Sequence, residues 1–379
     1  MFRFITIICL LLLSLLAVFP APITFLWYVS LAVQEYPWVF ALVVLILLLT
    51  GGYKGKFGMV NSIACALALV LFISPVIRAY RVAKGLNKGL EAAFIALDSP
   101  RPAPPFTANP FQWWQLFNLS SAKIASRTIT YGTAGGAPLT LDLYPAQRPG
   151  LRPCVVVIHG GSWLGGDSRQ LASLNSRLAG DGYVVASVNY RLAPRFKSPV
   201  ALDDVDSALN WLHVHAAELS IDSNAFVLLG RSAGAQIALV SAYAHPTPGL
   251  RGVIDFYGPA DMVWGYQNPA NPLVYNSRKV MADYLGGSYE AMPQNYHQSS
   301  PIEYVSTNSV PTLIIHGEQD VIVAYQHSRK LSRKLGDSGI RHYILTLPWA
   351  THGFDYTLNG PGGQLSTFAV ERFLQEVAP

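Results

Sequence analysis

The sequence predicts an α/β fold, a mostly parallel sheet with helices on both faces, preceded by an N-terminal region of apolar helices. Three observations carry this. From Arg127 onward, short apolar or alternating runs take turns with longer helical segments, which is the pattern of strands joined by crossover helices. The first two runs follow one another directly, so the sheet should begin antiparallel. Ahead of them, residues 4 to 33 hold no charged side chain at all.

The first region has three apolar stretches. One runs through the leucine block Leu10–Leu16 and is interrupted by Pro20 and Pro22; its part up to Phe19, behind Arg3, also has the form of a signal-peptide core. The second is Trp38–Thr50. The third, Phe57–Val76, is 20 residues long, the length a bilayer-crossing helix needs at a rise of 1.5 Å per residue. None has a polar face, which argues against buried core helices of a soluble protein. Residues 1–80 are therefore expected to be a transmembrane region of about three helices. Cations flank it on both sides, with Arg3, Lys54 and Lys56 on one and Arg78, Arg81, Lys84 and Lys88 on the other, so charge assigns no orientation.

Residues 81–125 read as a linker rich in proline and aromatic residues. Lys84–Leu97 has helical periodicity, and Ser99–Pro105, with four prolines, favours extended backbone. The segment 106–119 carries Phe111, Trp113, Trp114 and Phe117, whose rings belong either in a membrane interface or against the following domain and its pocket.

Residues 126–379 then form the globular domain, long enough for one well-buried core. Its expected strands are Arg127–Tyr131, Leu139–Tyr144, Cys154–Ile158, Tyr183–Val188, Ala225–Leu229, Gly252–Phe256, Thr312–His316 and His342–Leu347. Its expected helices are Arg169–Ala179, Val200–Leu219, Ala233–Ala244, Tyr325–Leu335 and Leu365–Val377.

Composition narrows the function. The chain is 51% hydrophobic and 13% charged, an imbalance that comes mainly from the first 80 residues. The net charge of +5 does not point to nucleic acid, because the basic clusters lie beside apolar stretches, where cations anchor at lipid head groups. The three cysteines have neither C-x-x-C nor Cys/His spacing, and no metal or other cofactor is expected.

The chemistry-bearing stretch is Val227-Leu228-Leu229-Gly230-Arg231-Ser232-Ala233-Gly234, a buried strand that turns on a serine into a small-residue helix. This is the form of a nucleophile elbow: two glycines allow a sharp corner, and the following helix aims amide hydrogens at an oxyanion beside the serine. Val155-Val156-Val157-Ile158-His159-Gly160-Gly161-Ser162 is a second strand ending in a glycine pair, able to expose successive N–H groups. Gly160, Gly161 and Ala233 are the expected oxyanion-hole donors, and His159 reads as a loop-holding residue rather than a base. After the strand at 312–316, Gly317-Glu318-Gln319-Asp320 offers two acids, of which Asp320, farther past the strand end, is the better orienter for a histidine. After the last strand, His352 stands on the loop Thr351-His352-Gly353-Phe354, while His213, His215, His245, His297, His327 and His342 read as surface or packing residues.

With the order Ser232, Asp320, His352 and the glycine-pair loop upstream, residues 126–379 resemble the α/β-hydrolase superfamily, and within it the H-G-G-x esterase group that includes hormone-sensitive-lipase-like, feruloyl and acetyl-xylan esterase-like and arylformamidase-like proteins. Asn189-Tyr190-Arg191-Leu192-Ala193-Pro194 and Phe256-Tyr257-Gly258-Pro259 fit the same group. The resemblance implies an α/β-hydrolase fold, a Ser232 nucleophile, a His352 base oriented by Asp320, and an oxyanion hole at Gly160, Gly161 and Ala233. Two positions depart from the lipase-like pattern, Ser162 in place of glycine and Arg231 in place of aspartate. An insertion at about 260–300, rich in Tyr, Asn, Pro and Met, is expected to cap the site.

The expectation is thus an integral membrane serine hydrolase acting on a small-molecule or lipid-like carboxylic ester. The alternatives are amide cleavage of the arylformamidase kind by the same residues and a catalytically silent membrane protein that uses the fold for binding.

Overall fold

The computed structural model describes residues 2–50, 56–94, 109–120, 123–245 and 247–379. The proline stretch Ser99–Pro105 and the cation Lys54 lie outside the described residues.

The N-terminal region forms α1 (Phe2–Ser14), α2 (Thr24–Glu35), α3 (Pro37–Leu49) and α4 (Lys56–Phe94). About three crossing helices are expected from the sequence. The first stretch is α-helical for only 13 residues: α1 ends at Ser14, a single 3-10 turn covers Leu15–Ala17, and Pro20 and Pro22 lie in the connection to α2. The second stretch forms α3, which meets the preceding helix α2 at Pro37 at an angle of 83°. Among the described residues, only α4 is by itself long and apolar enough to cross a bilayer, and the bent pair is the other candidate. The expected boundary at residue 80 is also displaced. It falls inside α4, which is 39 residues long. The periodicity seen from Lys84 continues that helix: Ala79, Ala83, Leu86, Leu90 and Phe94, at spacings of three and four, are buried against the domain.

All eight expected strands form one sheet: β1 (Arg127–Ala134), β2 (Ala137–Tyr144), β3 (Arg152–Ile158), β4 (Val184–Val188), β5 (Ile221–Arg231), β6 (Leu250–Phe256), β7 (Thr312–Gly317) and β8 (His342–Leu347). Their spatial order is β1-β2-β4-β3-β5-β6-β7-β8. β2 runs antiparallel to β1 and β4, and every other pairing is parallel. Central strands covered on both faces need continuous apolar runs, and Val155–Ile158 and Phe226–Leu229 are fully buried.

The remaining helices are α5 (Ala172–Asp181), α6 (Val200–Val214), α7 (Ala233–Ala244), α8 (Met262–Gln267), α9 (Ser277–Leu285), α10 (Pro293–Gln298), α11 (Gln326–Asp337) and α12 (Pro361–Val377). One core lies between the sheet and α6, α7, α9 and α11; the other lies between the sheet and α4, α5 and α12. α6 stops five residues before the expected Leu219. The insertion after β6 folds as the three short helices α8 to α10. In the aromatic segment, Phe111 is buried in the second core and the Gln112 amide donates to Gln364 Oε1 at 2.8 Å, while Trp113, Trp114 and Phe117 are exposed.

Candidate active site

β5 ends at Arg231, α7 begins at Ala233, and Ser232 forms the corner between them with φ 53° and ψ −119°. A positive φ at a residue with a side chain is a strained backbone that the surroundings must hold in place. They do so by close approach. A Cβ at Gly230 would lie 2.4 Å from Ala235 Cα, and one at Gly234 would lie 2.2 Å from the Ile158 carbonyl oxygen. A side chain at Gly230 would push the start of α7 away from the end of β5, and one at Gly234 would push the corner off β3. The Ser232 amide donates to the Phe256 carbonyl at 2.9 Å, which ties the corner to β6 as well.

Ser232 Oγ lies 2.9 Å from His352 Nε2, and His352 Nδ1 lies 2.7 Å from Asp320 Oδ2. The three residues sit on loops after β5, β7 and β8, all parallel, so their C-terminal ends bring together groups far apart in sequence. The Asp320 side chain is fully buried. Its Oδ1 accepts from the amides of Ile322 and Val323 at 2.8 and 2.9 Å. Burial alone would raise this carboxyl, but His352 and His316 hold it well below the usual carboxylate range. An ionised carboxylate only accepts, so Nδ1 of His352 carries the hydrogen and Nε2 is left to accept from the serine hydroxyl. Glu318, the other acid of the turn, is exposed.

His316 had no role in the sequence reading. It lies under the acid, with Nε2 3.1 Å from Asp320 Oδ2 and 3.0 Å from the Val323 carbonyl, and with Nδ1 2.6 Å from Ser328 Oγ. The available signal was its place four residues before Asp320 at the end of a buried strand. His159 holds its loop as expected. Its Nδ1 is 2.7 Å from the Gly160 carbonyl, its ring stacks on Tyr190 at 4.2 Å, and burial pushes its pKa down. His327 is a packing residue, edge-on to Trp264 at 5.0 Å, and burial, followed by the effect of His316, pushes its imidazole down to about 3.

The expected oxyanion donors divide. The Gly160 amide donates to Gln170 Oε1 at 2.8 Å, so its hydrogen is engaged in fixing the loop. Gly161 adopts φ +120°, and a Cβ there would lie 2.1 Å from the Gly165 carbonyl oxygen. The amides of Gly161 and Ala233 have no hydrogen-bond partner among the described residues.

Both departures from the lipase-like pattern have structural roles. Arg231 is buried, with Nε 2.6 Å from Asp355 Oδ2 and the guanidinium over the Phe256 ring. The other Asp355 oxygen accepts from the Tyr257 hydroxyl, and the Tyr257 ring centroid is 4.4 Å from that of His352. An arginine beside the nucleophile thereby braces the loop that carries His352. Ser162 Oγ accepts from the Tyr275 hydroxyl at 2.6 Å, joining the glycine-pair loop to the insertion. Trp163 adds a second join by stacking on Tyr284 at 4.4 Å.

A cavity of ≈ 460 Å³ opens at Ser232, walled by Trp163, Tyr275, Met281 and Val323 and, from the N-terminal region, by Pro20 and Pro22. The insertion thus lies over the serine, whereas none of the described residues of the 106–119 segment lines this cavity.

The BD-FAE family model matches residues 141–335. The chain is 30% identical over 243 residues to esterase LipQ of Mycobacterium tuberculosis, an alignment covering 60% of this chain and 56% of that protein. It is 29% identical over 267 residues to the probable carboxylic ester hydrolase LipM of the same organism, covering 66% and 60%. The chain therefore spans under two thirds of the length of these relatives. Among solved structures it is similar to a bacterial heroin esterase, with TM-score 0.60 and 20% identity over 69% of this chain and 87% of that one. It is also similar to an esterase of the planctomycete Thermogutta terrifontis, with TM-score 0.56 and 23% identity over 66% and 92%. With that match over half its length, on an eight-stranded sheet that carries its serine at a strand-to-helix corner, the chain belongs to the BD-FAE family, in the esterase group of the α/β-hydrolases.

Proposed function

We propose that this chain is a membrane-anchored serine hydrolase that cleaves carboxylic esters through an acyl-enzyme. The observation that carries the reading is His352, which spans 2.9 Å to the Ser232 hydroxyl and 2.7 Å to the buried Asp320 carboxylate. Ser232 Oγ attacks the ester carbonyl carbon while its proton passes to His352 Nε2. The carbonyl oxygen, now an anion, takes hydrogen bonds from the Gly161 and Ala233 amides. His352 returns the proton to the departing alkoxide, and a water activated by the same imidazole then releases the acid from Ser232.

The apolar walls of the cavity favour an uncharged small-molecule or lipid-like ester. The N-terminal helices serve as the anchor, and the three residues that carry the chemistry lie within residues 126–379. Supporting the anchor, the first half of α4 leaves Met59, Ile63, Leu67 and Val70 exposed along one side, a stripe suited to lipid.

A fluorophosphonate probe tests the nucleophile on the full chain in membranes. Wild type should be labelled and should hydrolyse p-nitrophenyl esters, and Ser232→Ala should do neither. Equal labelling of the two proteins would remove Ser232 from the mechanism, and faster turnover of a matched anilide than of the ester would reassign the reaction to amides.

A further inference from the structure

The N-terminal region does more than stand beside the hydrolase domain. Between α1 and α3 it carries the segment Pro20–Glu35, and this segment touches both sides of the serine cavity. Toward the insertion, Asn271 Nδ2 donates to the Pro22 carbonyl at 3.2 Å, and Thr24 donates through its amide to the Leu273 carbonyl at 3.1 Å and through its hydroxyl to the Val274 carbonyl at 2.7 Å. Toward the base, Trp27 Nε1 donates to the carbonyl of His352 itself at 3.2 Å. The amide of the preceding residue, Thr351, donates to Gln34 Oε1 at 2.9 Å, and Gln34 Nε2 donates to the Leu16 carbonyl at 2.9 Å. Glu35 accepts from the Gly362 amide at 3.1 Å at the start of α12.

Helix α2 is otherwise an apolar helix, yet Gln34 and Glu35 are among its most buried residues. A buried amide or carboxyl that lacks partners destabilises by about 1–3 kcal/mol or more, so two adjacent ones are retained only where a surface satisfies both. The partners here are the backbone of the His352 loop and the first turn of α12. The pairing therefore fixes where α2 sits, and reciprocally it fixes the backbone on both sides of the imidazole. A serine hydrolase depends on this placement, since a shift of about 1 Å at a reacting group lowers turnover by about a hundredfold.

We propose that the segment Pro20–Glu35 completes the ester site: Trp27 and Gln34 are positioning residues for His352, and Pro20, Ala21 and Pro22 form a wall of the substrate cavity. This rests on the ester-hydrolase reading above and extends it, because it makes the anchoring region a part of the active centre. The hydrolase domain without residues 1–35 then keeps the serine, the acid and the histidine but lacks the contacts that aim the last of them.

The experiment uses the full-length chain in detergent, with active sites titrated by the p-nitrophenyl ester burst. Trp27→Phe keeps the ring and removes the donor to His352; Gln34→Leu keeps the volume and removes the acceptor for Thr351. Both should lower kcat per titrated site by about ten- to a hundredfold with KM nearly unchanged, a split that a smaller folded fraction does not produce. Ala21→Leu adds bulk to the wall and should lower kcat/KM for the octanoate ester relative to the acetate by about tenfold. The inference is overturned if both positioning variants keep the wild-type kcat per site, or if Ala21→Leu leaves the acetate-to-octanoate ratio unchanged. Wild type that neither bursts nor reacts with the fluorophosphonate would overturn the ester reading and this inference together, whereas a reactive wild type with unaltered variants would overturn this inference alone.

Discussion

In the hydrolase domain, Val155–Ile158 and Phe226–Leu229 are sealed between two layers of helices; in α3 and the first half of α4, Leu49, Met59, Ile63 and Val70 stand exposed. Buried polar side chains occur in both regions: Ser14, Ser30, Gln34 and Glu35 in the N-terminal helices, and Asp142, Asp204, Arg231 and Asp255 among others in the domain. The same physics produces both arrangements. In water apolar area is driven inward, and an exposed apolar stripe is what the proposed anchor requires, since apolar area next to hydrocarbon has nothing to gain by burial. Helix α4 shows the change within one element, since its first half is exposed and apolar while Leu86, Leu90 and Phe94 join the domain core.

Under the proposed function the chemistry falls in the hydrolase domain, on Ser232, His352 and Asp320, whose side chains are partnered to one another. Its largest test is Asp320→Asn, which should lower kcat by about ten-thousandfold by presenting the wrong tautomer of His352, while Glu318→Gln leaves kcat near wild type. The reverse pattern in steady-state kinetics would move the orienting role to Glu318.

Arg231→Met tests the buried brace. It strands Asp355 beneath the His352 loop and should destabilise the domain by about 3–5 kcal/mol in denaturant unfolding. Breaking the exposed Lys279–Asp283 pair, 2.6 Å apart in the structure, should change stability by at most about 1 kcal/mol. Equal effects would mean that the brace is no more than a surface contact.

The N-terminal half is tested with Ile63→Asp and Val70→Asp. Each should oppose membrane insertion by about 2.5–3.5 kcal/mol and shift the protein out of the carbonate-resistant membrane fraction. The unfolding midpoint of the hydrolase domain should stay unchanged, and a lowered midpoint with intact membrane retention would identify this stripe as a protein contact instead.

The smallest effect is expected at an exception to the domain's own rule. Asp255 is buried, with Oδ1 accepting from the Gly258 amide at 2.7 Å and Oδ2 without a partner. Burial pushes its carboxyl up to about 7, against the lowering influence of the Gly258 amide and His316. Because the folded value lies above the unfolded one, the associated stability is complete below about pH 4 and is lost as pH rises through about 7. The thermal midpoint of wild type should therefore fall more steeply between about pH 4 and 7 than that of Asp255→Asn, and parallel curves would show that Asp255 does not titrate in this window.

Much of this was legible in the residues. All eight strands and the strand-to-helix corner at Ser232 could be read from apolar runs and glycine spacing, because backbone geometry and periodicity are local properties. Three things were not. The engagement of the Gly160 amide depends on Gln170, a long polar side chain whose partner is set by how a loop folds back. The break between α2 and α3 is marked by Pro37, but its 83° angle is decided by what α2 packs against. His316 gains its place under Asp320 only once β7 and the turn after it are built.

By itself, then, the sequence determined the apolar N-terminal stretches, the order of the strands and helices, and the strand-to-helix corner at Ser232, since each is encoded within a few turns of chain. The tertiary structure alone decided which amides remain free beside Ser232 and that Trp27 and Gln34 reach the loop of His352. Those contacts join residues more than 300 positions apart. No local pattern specifies such a pairing; it follows from the shape two folded surfaces present to each other, and from the requirement that buried polar groups find partners there.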